Sequence, residues 1–133
     1  MTSAPLTQTF HYGARMFNID KARSLLQQHL RNPEPTLVTD WAAHYHLHHL
    51  TPDYDGTSWC PIFGPDQSHF NAAHAMQTDL DKPVIIATME FDGRAAVLLI
   101  DGLHRMYRAM VEARVTLPAH TLTVAETASI RES

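Results

Sequence analysis

Two strand-like runs joined by an Asp-Gly pair constrain this chain most. Val84–Phe91 is rich in the β-branched residues that a pleated sheet accommodates well, and Ala95–Ile100 is continuously apolar. Asp92-Gly93 stands between them. A two-residue hairpin turn needs positive φ at both central positions, which Asp-Gly tolerates, so the pair predicts a β-hairpin. Pro83 opens the first run and Asp101-Gly102 closes the second. The unbroken apolar character of 95–100 predicts burial on both faces. From His104 to Arg114 the period becomes helical, with Met106, Ala109, Met110 and Ala113 on one side. After Pro118, Ala119–Val124 alternates weakly as a last strand, and a loose tail is expected over 126–133.

The first half reads as helices between breakers. Leu6, Phe10 and Tyr12 hint at a short strand closed by Gly13. Asp20 is the expected N-cap of a helix through Leu30, with Ala22, Leu25, Leu26 and Leu30 as its apolar stripe. Asn32-Pro33-Glu34-Pro35 ends it, because proline cannot continue a helix. Asp40 is expected to cap a second helix over 41–50, with Trp41 and Tyr45 on one face. Thr51–Pro65 reads as a long loop, a length uncommon in compact domains unless functional. Asp66 is expected to cap a helix over 67–79 that buries Phe70, Ala73, Met76 and Leu80. Helices followed by hairpin, helix and strand make an α+β protein, a small mixed sheet flanked by helices.

Composition narrows the class. At 133 residues and 44% hydrophobic content, the chain is sized for one domain, 1–133, with a core of its own. A single cysteine, Cys60, cannot close an internal disulfide, which makes a reducing cytoplasm the expected setting. No apolar run reaches the roughly 18 residues of a membrane span. The N-terminal MTSAPLTQTF lacks the charged-then-apolar pattern of a secretion signal, and no membrane partner is expected. A net charge of −4 does not favour a nucleic-acid partner, although Arg105, Arg108 and Arg114 leave room for a local basic site.

The chemistry concentrates in Leu98-Leu99-Ile100-Asp101-Gly102-Leu103-His104-Arg105. An apolar strand ends at a carboxylate, glycine makes a tight turn, and a helix starts at once with His and Arg in its first turn. The first N–H groups of a helix lack internal partners and its dipole is positive there, so an anion would be held by those groups, by Arg105 and by His104. Gly102 would let the anion approach, since no Cβ blocks it. Cations in a first turn oppose the dipole, which points to an absent negative ligand. The purely structural alternative makes Asp101 an N-cap, with His104 and Arg105 solvated or paired with Glu90, Asp92 or Glu112.

Asp101-Gly102-Leu103-His104-Arg105, followed by Leu117-Pro118-Ala119, resembles the ParB/sulfiredoxin-like superfamily. Its partition proteins carry a Gly-x-x-Arg turn at this junction and its sulfiredoxins Gly-Cys-His-Arg. Lys82-Pro83-Val84-Ile85 is similar to the strand that precedes the turn in these families. The resemblance covers about residues 80–124. It implies that Lys82, Gly102, Leu103, His104 and Arg105 bind a nucleotide such as ATP, ADP or CTP with Mg²⁺, and that Asp101 and His104 are the candidate catalytic groups. Leu103 replaces the sulfiredoxin thiol, which removes sulfinic-acid reduction. The chain also lacks length for the DNA-binding and dimerisation domains of a partition protein, and Arg108 replaces their alanine.

Three functions follow as expectations. One is a small nucleotide-binding enzyme that performs phosphoryl transfer, hydrolysis or nuclease-like cleavage. The second is a module that senses a nucleotide or phosphorylated ligand without turnover. The third is an interaction domain that has lost its ligand. Glu90 and Asp92 belong at the hairpin end, away from the turn, while Asp20 and Asp40 are further candidate acids. Ten histidines include His44, His46, His48, His49, His69 and His74. On a 41–50 helix, His44 and His48 would share a face and could offer two imidazoles to a metal. Structural zinc takes about four ligands and no His-Glu-x-x-His is present, so no metal site is assigned. Cys60 is expected to pack rather than react. Trp41, Tyr45 and Phe70 are expected in the core.

Overall fold

The structure is a computed structural model and describes residues 9–12, 15–45, 47 and 72–132. Its first elements are a hairpin, β1 (Thr9–Tyr12) paired antiparallel with β2 (Arg15–Asn18), where the sequence suggested one strand. Leu6 and Gly13 lie outside the described residues. Helix α1 (Ile19–Gln28) is capped by Asn18, whose Oδ1 accepts the Lys21 N–H at 3.0 Å, and Asp20 sits inside the first turn instead. Both residues are good caps two positions apart; the strand that delivers Asn18 in extended backbone decides between them. Ala22 is buried and Leu25 and Leu26 pack partly, but Leu30 falls beyond the helix end and is 87% exposed.

Asn32–Pro35 does more than stop a helix. Pro35 lies within β3 (Glu34–Leu37), a strand the sequence did not reveal. Helix α2 (Val38–His44) follows directly, with Leu37 at its cap and Asp40 in its first turn, three residues earlier than expected. Trp41 and Tyr45 are buried as expected, and the Tyr45 hydroxyl donates to the Leu99 carbonyl at 2.9 Å. Of the expected 67–79 helix, α3 (Ala72–Ala75) is helical within the described residues. Ala75 and Leu80 are buried while Ala73 and Met76 face outward, so the buried stripe is shifted. Thr51–Pro65, Cys60 and Phe70 lie outside the described residues.

The hairpin forms as read. β4 (Val84–Phe91) pairs antiparallel with β5 (Arg94–Asp101), and Asp92 and Gly93 take φ of 50° and 77°. Only Leu98–Ile100 of β5 are buried; Val97 is 52% exposed, and β5 is an edge of the four-stranded sheet, ordered β3-β6-β4-β5. Helix α4 (Leu103–Val111) buries Met106, Tyr107 and Ala109, and Ala113 lies past its end. β6 (Thr116–Thr121) runs parallel to β4 and antiparallel to β3. Pro35 and Pro118 face each other, and β6 meets β4 only from Ala119 onward. Two residues without an N–H can share one non-hydrogen-bonded position, so neither interrupts a ladder. The sheet is mixed and flanked by helices, as the α+β reading expected. No described helix is long and apolar enough to cross a membrane.

The tail is not loose. Helix α5 (Val124–Ile130) opens with a reciprocal cap: Thr123 Oγ1 accepts the Glu126 N–H at 3.1 Å, and Glu126 Oε1 accepts the Thr123 N–H at 2.9 Å. Thr123-x-x-Glu126 is the sequence signal that the weak apolar pattern obscured. Arg31 clamps the same carboxylate with both terminal nitrogens, at 2.7 and 2.6 Å. Thr127 and Ile130 are buried, and Thr127 Oγ1 accepts the Thr88 N–H at 3.0 Å. The hydrogen bond from Arg31 is the main cause that holds the Glu126 carboxyl down at about 2, below its ordinary 4.5. A depressed carboxylate stabilises the fold above its unfolded value, and that stability drains away as pH falls from about 4.5 towards 2. Glu126→Gln is therefore expected to cost about 1–3 kcal/mol at neutral pH. Its urea-unfolding stability should also change less between pH 5 and pH 2 than that of the parent, roughly the window in which the carboxylate titrates.

Candidate functional site

The strand–turn–helix junction is where the sequence put it, but its parts face two ways. Asp101 ends β5, opposite Ile85 and beside a register shift between Ile85 and Ile86, the kind of irregularity that re-aims a strand end. Gly102 turns the chain with φ 108°, and α4 starts there without a side-chain cap. A Cβ on Gly102 would lie 2.8 Å from Val84 Cβ and closer still to Val84 Cγ1. Packing against β4 and the positive φ each require glycine here, whatever the turn binds. Leu103 packs against the core.

Arg105 is a clasp. Its Nη1 donates to the carbonyls of Lys82 and Pro83 at 2.8 and 2.7 Å, and its Nη2 to Asp101 Oδ2 at 3.3 Å. The side chains of Arg105 and Asp101 are 14% and 11% exposed. Burial pulls the Arg105 guanidinium below its ordinary value, and Asp101 opposes that shift. Arg23 of α1 reaches the same Asp101 oxygen at 3.2 Å, with 47% of its side chain exposed. One carboxylate thus organises two guanidinium groups. The sequence reading gave Arg105 to an anion; in the structure its guanidinium is turned onto the protein's own carbonyls and Asp101.

These groups line one cleft of about 480 Å³. Arg23, Leu26 and Gln27 come from α1, Lys82, Pro83 and Ile85 from the entry to β4, and Asp101, Arg105 and His120 from β5, α4 and β6. Three cations against one carboxylate give the cleft a positive excess in a chain of net charge −4. Lys82, Asp101 and Arg105 were legible in the sequence. Arg23 and His120 were not: Arg23 is one polar position of an amphipathic helix, and His120 one of ten histidines. Burial and then the nearby Arg31 hold His120 below its ordinary value, and its Nδ1 is buried with no hydrogen-bond partner among the described residues.

His104 turns away. Its ring meets that of His74 at 5.1 Å, and burial, then His74, lowers its pKa. It does not line the cleft, so the structure separates the two candidate catalytic groups, Asp101 and His104. Asp20 and Asp40 line other grooves, and Glu90 a third at the hairpin end. His44 packs its ring against Trp41 and Tyr45, at 5.9 and 5.1 Å between centroids. His46, His48, His49 and His69 lie outside the described residues. Among the described residues, no group of three or more His, Cys, Asp or Glu side chains could hold a metal ion.

The architecture is that of a mixed-sheet α+β protein with a basic cleft at one strand–helix junction. Compared with known proteins, the chain matches no family model, no curated protein and no solved structure. The superfamily resemblance therefore rests on its sequence motif. Gly102→Ala combines about 1–2 kcal/mol of backbone strain with about 1–3 kcal/mol of overpacking. Adding Val84→Ala removes the Cγ1 clash but keeps the Cβ contact, so it should recover only part of the packing loss, and thermal unfolding of the double variant is expected to be less than additive in its loss.

Proposed function

We propose that the cleft binds a phosphate-bearing small molecule, a nucleotide such as ATP, ADP or CTP being the leading candidate. The observation that carries this reading is the convergence of Arg23, Lys82 and Arg105 on one cleft of an acidic chain. Its volume lies in the range of about 300–1,000 Å³ usual for small-molecule sites. Arg105 and Asp101 serve as the rigid wall, and Arg23 and Lys82 as the accessible cations that meet the phosphates. Charge-assisted contacts of this kind are the strong ones, and the ordered carboxylate keeps Arg23 oriented before the ligand arrives. Mg²⁺ would travel with the phosphates. The resemblance to ParB/sulfiredoxin-like proteins supports the same ligand class. Since Asp101 is tied to two guanidinium groups, the arrangement favours holding and sensing a ligand over activating a nucleophile.

A second reading, turnover of the bound nucleotide, is favoured by one residue. His120 lines the cleft, and burial, then Arg31, lowers its pKa, which favours the uncharged imidazole that a general base requires.

Thermal shift measures the first reading. A nucleotide with Mg²⁺ at about 100 times its Kd adds roughly 2.7 kcal/mol of stability, a rise of several degrees in Tm. Arg23→Ala or Lys82→Ala should weaken binding roughly tenfold or more, and added salt should weaken it in the parent. Arg105→Ala is the wrong probe, because it also releases the backbone at 82–83. No shift with any nucleotide, inorganic phosphate or sugar phosphate would overturn the proposal.

Phosphate release tests the second reading. Turnover should vanish in His120→Gln with binding intact, and in the parent it should persist as pH falls through the ordinary histidine value of 6.5, failing only below it. A rate indifferent to His120→Gln would exclude that residue as the base.

A further inference from the structure

The cleft leaves the histidine of the Asp-Gly-Leu-His-Arg run unused, and that histidine meets another from a separate element. His104 in α4 and His74 in α3 approach with ring centroids 5.1 Å apart and planes at 74°. Two imidazole nitrogens bound to one tetrahedral ion at about 2.0–2.1 Å place the ring centres roughly 5 Å apart, with the rings splayed rather than stacked. We propose that His74 and His104 form a two-imidazole site for a late first-row divalent cation, Zn²⁺, Ni²⁺ or Cu²⁺, whose other coordination positions stay open to water or substrate.

The backbone on both sides of the pair is fixed. Arg108, one helical turn after His104, donates from Nη1 to the carbonyl of Thr78, which stands four residues after His74. Histidine and anchor are thus each four positions apart on the two segments. The turn after His74 is closed by its own carbonyl, which accepts the Gln77 N–H at 3.0 Å, and by the Thr78 hydroxyl, which donates to the Ala75 carbonyl at 2.7 Å. Further on, Arg105 holds the carbonyls of Lys82 and Pro83. With the segment tied to α4 at both places, the backbone that carries the two rings is held in register.

Ligand chemistry selects the ion. Imidazole suits zinc, nickel and copper, whereas Mg²⁺ and Ca²⁺ prefer oxygen donors. Among the described residues no third His, Cys, Asp or Glu joins the pair, which matches the open coordination proposed. It lies apart from the cleft, and its test needs no nucleotide.

Equilibrium dialysis of the full chain against Zn²⁺ or Ni²⁺ alone, with bound metal counted, provides that test. Other histidines also bind metal, so the difference between variants is the readout. His74→Ala and His104→Ala should each weaken the tightest site roughly tenfold or more, since loss of a ligand costs at least as much as loss of its outer-shell support. His44→Ala should leave it intact, and excess Mg²⁺ should not compete. Wild-type binding in either His74→Ala or His104→Ala overturns the proposal. Should an alanine variant fail to fold, His104→Gln replaces it. Paramagnetic Ni²⁺ added to the parent gives an arm without variants: the imidazole proton signals of His74 and His104 should broaden together, ahead of other histidines. Broadening of other histidines while these two stay sharp overturns it equally.

Discussion

The junction between β5 and α4 depends on one half-buried ion pair, Asp101 with Arg105, four residues apart across a glycine turn. A charged guanidinium at that depth needs hydrogen-bond partners, and here a carboxylate and two backbone carbonyls take three of its donors. The consequence is structural first. The start of β4, the end of β5 and the first turn of α4 are held at one point, and Gly102 fits because Val84 occupies the space its side chain would need. Binding chemistry is built on that frame. Arg23 is drawn to Asp101 from another helix, and the cleft keeps more positive than negative charge after the pairing is complete.

The same turn of helix sends its next two residues in different directions. Successive residues on an α-helix point about 100° apart. Arg105 therefore faces β4 and the cleft, while its neighbour His104 faces α3 and His74. A five-residue motif that reads as one site along the chain becomes two places in space. The segment from His74 to Pro83 lies along α4, tied at one end by Arg108 and at the other by Arg105.

What could be read in advance follows from the range of the forces involved. The hairpin of β4 and β5 was legible because Asp92-Gly93 is a local backbone demand, met by the φ values of those two residues alone. Helices α1 and α4 were legible from apolar spacing, although Asn18 displaced Asp20 as a cap and Leu30 fell outside the stripe. β3 and α5 were missed for opposite reasons. β3 holds a proline that reads as a breaker, and its strand identity comes from β6, whose own proline stands opposite. α5 is short and only partly apolar, and Arg31, some ninety residues away, helps fix it through Glu126.

The sequence by itself determined the α+β class, the central hairpin and a charged glycine turn at the head of a helix. Those are local consequences of backbone preference and side-chain period. The tertiary structure alone decided that Arg23 and His120 join Asp101 and Arg105, that Arg105 closes on carbonyls, and that His104 finds His74. Electrostatic partners and cleft walls are chosen by proximity between segments far apart in the chain, and proximity is fixed only when the sheet order and helix packing are.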